Sequence, residues 1–79
     1  MTDGKLRWQC RRGMRELDEL LAAYLGSRYE QAPQIEKDAF HELLKLSDPV
    51  LIGYLLGNEQ HPGPHIADAI EKIRSSTQS

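Results

Sequence analysis

Three histidines, one cysteine and a tight group of arginines are the residues of this chain whose types could do chemistry. His61 and His65 stand four apart, the spacing that brings two imidazoles to one face of a helix, but Pro62 and Pro64 interrupt any helix between them. No zinc or other metal site is expected, and His61 and His65 read as solvent-exposed loop and cap residues, His41 as a surface residue among charged neighbours. Cys10 falls on an apolar stripe with Leu6 and Met14, the place of a small buried hydrophobe rather than of a nucleophile. The glycines occur singly, so no loop is built to cradle a phosphate. What remains is recognition. Arg7, Arg11, Arg12 and Arg15 crowd around Gly13, with the sole tryptophan, Trp8, among them. Arginine and tryptophan are enriched at protein-binding hot spots, and a glycine lets a partner's backbone come close.

The charge is divided along the chain. Residues 1–15 carry five Lys or Arg against one Asp, while residues 16–79 carry five against eleven acidic groups, a split hidden by the net charge of −2. A duplex-DNA binder draws its affinity from neutralised phosphates, so no nucleic-acid partner is expected of this mostly acidic molecule. On a continuous helix Trp8 would share a face with Arg11, Arg12 and Arg15, opposite the stripe of Leu6, Cys10 and Met14, and Arg12 would reach Glu16 four residues on. An exposed pair of that kind is worth under ~1 kcal/mol, too little to explain why these groups are collected in one place.

Helical periodicity dominates the elements that must position these groups. Leu6, Cys10, Met14, Leu17, Leu21 and Tyr24 follow i, i+3, i+4 spacing, and Gly13 divides them into a short helix over 4–12 and a second over 14–25, stopped by Gly26. A third helix begins near Pro33, with Ile35, Ala39, Phe40, Leu43, Leu44 and Leu46 inward and Glu36, Lys37, Asp38 and Glu42 outward. Ser47, Asp48 and Pro49 signal a helix start, a capping side chain followed by proline in the first turn. The helix over 49–56 is nearly all apolar, so burial on most sides is expected, and Gly57 ends it. A loop over 58–64 leads to a fifth helix over 65–74, with Ile66, Ala69, Ile70 and Ile73 inward; residues 73–79 are expected to form a frayed tail.

The fold class is all-α, a compact five-helix bundle forming one domain over 1–79. A chain of this length with 39% hydrophobic residues builds one modest core and no buried catalytic cavity. The lone cysteine excludes an internal disulfide. No apolar run approaches the ~18 residues of a membrane span, and the opening residues lack the apolar core of a signal peptide. A bacterial cytoplasmic location without membrane insertion, and a monomer, are expected.

The run from Arg11 to Asp18, preceded by Trp8 and followed by Asp48, Pro49, Leu51, Tyr54 and Leu55, resembles the SdhE family of succinate dehydrogenase flavinylation factors. Its bacterial members also carry the antitoxin designation CptB, and mitochondrial relatives serve as assembly factor 2 of the same enzyme. The likeness spans nearly the whole chain, and its most specific part is the Arg-Gly-x-x-Glu motif at Arg12, Gly13 and Glu16. The resemblance implies a five-helix bundle that is not an enzyme. It implies binding to the flavoprotein subunit of succinate dehydrogenase, in some bacteria that of fumarate reductase, and promotion of covalent attachment of FAD to a histidine of that subunit. The factor itself would hold no cofactor stably. By the same resemblance Arg12, Gly13 and Glu16 centre the client-binding surface, Trp8, Arg11 and Arg15 surround it, and Asp48 and Pro49 form a second patch, which lies beside the first or simply caps a helix. Tyr54, where relatives often carry tryptophan, and Gly53 depart from the family pattern. Three other functions compete: an antitoxin acting on cytoskeletal proteins, an RNA-binding helical module using Trp8 and the arginines, and a free-standing flavin carrier.

Overall fold

The computed structural model describes residues 4–76. Five α-helices and one 3-10 turn follow in order: α1 Gly4–Gln9, α2 Arg15–Ser27, the turn Tyr29–Gln31, α3 Gln34–Leu44, α4 Asp48–Leu55 and α5 Pro64–Ser75. No strand occurs among the described residues. α5 is the hub, packing on α2, α3 and α4, with its broadest contact to α3. Its Ala69, Ile70 and Ile73 meet a core in which Leu17, Leu21, Tyr24, Phe40, Leu43 and Leu51 are fully enclosed. The radius of gyration, 11.3 Å, matches the roughly 12 Å of a chain this long collapsed around one core.

The stripe read from the sequence builds α2 directly, since Leu17, Leu20, Leu21, Tyr24 and Leu25 are all buried. Glu16 and Asp18 in its first turn complement the positive end of the helix dipole. Gly26 does not stop this helix. It stays helical, and Arg28 closes the element by donating its backbone N–H to Tyr24 O at 2.9 Å.

In α3 two expectations reverse. Ile35 faces solvent, whereas Glu36 is buried at 5% exposure. The carboxylate is inside because both of its oxygens are satisfied. Tyr24 Oη donates to Oε2 at 2.6 Å, and Arg28 donates from Nε at 2.7 Å and from Nη2 at 2.9 Å. The Arg28 fork holds the Glu36 carboxyl below its ordinary value of 4.5 against the opposing effect of burial, and the Tyr24 hydroxyl adds to the lowering. Burial and the hydrogen bond to Glu36 push the Tyr24 phenol up. His41 also departs from a plain surface role: its Nε2 lies 2.7 Å from Tyr29 Oη, at the edge of a stack joining Tyr24, Phe40 and Tyr29.

α4 is less buried than its composition predicts. Leu51 and Leu55 reach the core, but Val50 and Leu56 are exposed. This two-turn helix has its main contact with α5, and Leu51 and Leu55 are the residues it commits to the shared core. Gly57 does end it: Leu56 and Gly57 both donate to Ile52 O, and a Cβ at Gly57 would lie 2.8 Å from Gly53 O, so a side chain there would force the turn open. At the other end α5 begins at Pro64 and runs through Ser75 with Ile73 fully enclosed, so the helix continues past residue 73, where the tail was expected to begin. Residues 77–79 of that expected tail lie outside the described residues.

Candidate functional site

The arginine-rich segment is a clasped loop, not a helical face. α1 ends at Gln9, its last turn tightening as Cys10 N–H donates to Leu6 O and Arg7 O and Arg11 N–H to Trp8 O. Arg12 then leaves the helical path because its N–H donates to Asp18 Oδ1 at 2.6 Å. Gly13 follows at φ +81°, the one positive φ among the described residues, where an L side chain is strained. Nothing lies within 4 Å of a Cβ built there. The glycine is required by backbone conformation and leaves open space above itself.

Arg12 does not sit on the surface beside Trp8, and it does not pair with Glu16. Its side chain is only 15% exposed. Nη2 donates to Leu44 O and Nη1 to Leu46 O at 3.3 Å, carbonyls at the end of α3 and just beyond it, where a helix is electron-rich. Nη1 also pairs with Asp48 Oδ1 at 3.2 Å. Asp48 is thereby engaged by Arg12 across the bundle. α4 starts one residue earlier than expected, with Ser47 as N-cap and no side-chain capping bond, and the Asp48 carboxylate turns to Arg12 instead. The Arg-Gly-x-x-Glu segment and the Asp-Pro corner are thus joined through one guanidinium.

Around this clasp the other predicted residues are exposed. Trp8 is 73% exposed on α1, and Arg11, Gly13, Arg15, Glu16 and Pro49 all face solvent. Glu16 has no hydrogen-bond or ion-pair partner among the described residues, whereas Arg15 pairs loosely with Glu19 at 3.3 Å. Sequence reasoning missed Met14 and Val50. Met14, placed on the inner stripe by periodicity, lies outside because the loop rotates it away from α2, and Val50 extends the exposed apolar surface next to Pro49. Beneath the loop Cys10 is buried as expected, and burial pushes its thiol up to about 11, with Arg12 pulling it down and Asp18 up. Of the histidines, His61 is partly buried and accepts the Gly63 N–H on Nδ1 at 2.9 Å, while His65 is exposed in the first turn of α5.

A groove of about 920 Å³ opens from this loop between α1 and α2. Arg7, Trp8 and Arg11 form one wall, Asp18 and Glu19 the other, and Ala22, Leu25 and Gly26 the floor. The site therefore has shape, apolar surface and free charge in one place, the ingredients of a macromolecular contact.

A family model described as flavinator of succinate dehydrogenase matches residues 4–77. The chain belongs to that family. Three SdhE relatives illustrate the match, each aligned over most of its length. The FAD assembly factor SdhE of Haemophilus ducreyi is 36% identical over 75 residues, covering 95% of this chain and 92% of the relative. That of Methylococcus capsulatus is 42% identical over 72 residues, with 91% and 87% covered, and that of Coxiella burnetii is 39% identical over 74 residues, with 94% and 90% covered. No solved structure matches the chain. Membership in the SdhE family makes the chain an FAD assembly factor rather than an enzyme, and implies interaction with the succinate dehydrogenase flavoprotein, the subunit to which the FAD goes. No helix of the described residues is long and apolar enough to cross a membrane.

Proposed function

We propose that the loop over 10–14 and the surface clasped to it dock onto the flavoprotein subunit of succinate dehydrogenase and favour the conformer in which FAD and its acceptor histidine react. The observation that carries this reading is the Gly13 turn: a strained-for-any-other-residue backbone, open above, held in shape by Arg12 and Asp18 and ringed by exposed Trp8, Arg11, Arg15 and Glu16. Arg12 and Asp48 act as the frame of the surface, and Gly13, Glu16 and Pro49 are its contacts. Bond formation belongs to the client's own groups. A docking protein acts by differential binding, and moving a conformer from 1:99 to 99:1 takes roughly 5.5 kcal/mol, within reach of a few hot-spot contacts.

Glu16→Ala is the direct test, because Glu16 is exposed and unpaired and its loss leaves the fold alone. The variant is expected to keep its circular dichroism, with its stability lowered only by the helix-dipole contribution of about 0.3–1 kcal/mol, while co-purification of the flavoprotein falls at least about tenfold, as for a hot-spot truncation. In-gel flavin fluorescence of the flavoprotein should fall with it. Gly13→Arg, which puts a side chain in the open space, should lower co-purification and flavin loading likewise, with a reduced denaturation midpoint from the strained backbone. Full flavin loading with both variants would overturn the assignment.

A further inference from the structure

We infer that the groove between α1 and α2 receives an acidic segment of the flavoprotein, in extended conformation, with an apolar side chain seated on Ala22, Leu25 and Gly26. The inference rests on the docking reading above and adds to it the chemistry of the segment recognised. The groove's charges are unequal in availability. On the α2 wall Glu19 is paired with Arg15 at 3.3 Å, whereas Asp18 accepts only the neutral Arg12 N–H at 2.6 Å and keeps its charge. On the α1 wall the guanidinium groups of Arg7 and Arg11 have no hydrogen-bond or ion-pair partner among the described residues, and both residues are exposed. With Glu19 offset by Arg15, two guanidinium groups face one carboxylate, so the groove keeps one positive charge in excess, gathered on the α1 wall of a molecule whose residues 16–79 are strongly acidic. A complementary ligand brings carboxylates to that wall, where guanidinium groups take them as paired donors.

The dimensions suit a peptide. Asp18 to Gly26 spans eight helical rises, about 12 Å at 1.5 Å per residue, which accommodates about four residues of extended chain at 3.3 Å each. The floor is aliphatic, with Leu25 buried beneath the exposed Ala22 and Gly26. No heavy atom lies within 4 Å of a Cβ at Gly26, so the floor has unfilled space. Trp8 stands at the rim as a large amphipathic contact. Glu16 and Glu19 lie one turn apart on α2, so the groove is continuous with the surface centred on Gly13.

Filling the groove tests the idea. Gly26→Leu puts a side chain into open space on an exposed helical position, and Arg7→Glu with Arg11→Glu reverses the wall without touching the core. Each is measured by calorimetric titration against the apo flavoprotein subunit, with circular dichroism as the folding control. Both are expected to weaken binding at least tenfold with unchanged helicity. A benzophenone side chain placed at Ala22 should cross-link to a flavoprotein peptide containing Asp or Glu. Unchanged affinity in both variants, or a cross-link to a segment without acidic residues, overturns the groove assignment. If those results appear while Glu16→Ala still abolishes binding, the docking surface stands and only the groove falls; if Glu16→Ala is also silent, both fall.

Discussion

Arg12 is the residue on which the shape of the loop over 10–14 depends, and its role is mechanical. Charge-assisted hydrogen bonds to partly buried partners are worth about 1.5–3 kcal/mol, and Arg12 makes such contacts with Leu44 O, Leu46 O and Asp48. Arg12→Ala is therefore expected to lower unfolding stability in urea by about 2–3 kcal/mol. Arg12→Lys should recover only a minor part, because an ammonium cannot span three acceptors that a planar guanidinium fork reaches. Cys10 gives a second residue-scale test. With its thiol buried and pushed up to about 11, modification by a disulfide reagent at pH 8 should be slow in the native protein and fast in denaturant. Rapid native labelling would show that the loop does not cover it. The sequence announced Cys10 correctly because burial follows the apolar period. It misdirected on Arg12, since no local pattern reveals that the carbonyls at the end of a helix 32 residues away are its acceptors.

Among the elements, the seam between α2 and α3 is the one that depends on pH. Glu36 is ionised in the folded protein below its ordinary value of 4.5, so its contribution is complete at neutral pH. As pH falls through 4.5 the unfolded chain takes up the proton first, and stability declines until the folded carboxyl is protonated as well. Thermal midpoints measured from pH 7 down to pH 3 should fall with this slope, and Glu36→Gln should flatten it while lowering stability at neutral pH by about 1–3 kcal/mol. The helices themselves were legible: all five expected helices occur, and Leu17, Leu21, Tyr24, Ala39, Phe40, Leu43, Ala69 and Ile73 are inside as periodicity requires. The error at Ile35 and Glu36 has a physical cause. Position 36 lies three, four and seven residues before Ala39, Phe40 and Leu43, on the inner stripe, but a carboxylate is assigned outward unless Tyr24 and Arg28 are known to be waiting for it. The expectation of α1 over 4–12 overshoots the observed Gly4–Gln9 for a similar reason, because Asp18 draws the Arg12 N–H out of the helix.

For the whole molecule the expectation is a binding protein with no chemistry of its own at the docking surface. Purified protein should show no flavin absorbance near 450 nm, and yellow colour retained through desalting would require a flavin site that this reading lacks. The division of charge between the first fifteen residues and the remainder was visible in the sequence and survives folding as a cationic groove wall on an otherwise acidic body. The groove itself was not visible there, because its two walls come from helices whose relative placement is set by the loop between them. The clasp has a consequence for the life of the protein. The partners of its guanidinium lie 32 to 36 positions further along the chain, so a nascent or partly unfolded copy has only the local Arg12–Asp18 hydrogen bond with which to shape the Gly13 turn. On the proposed docking, full competence to engage a client arrives with completion of the bundle, which keeps immature copies from occupying the client unproductively.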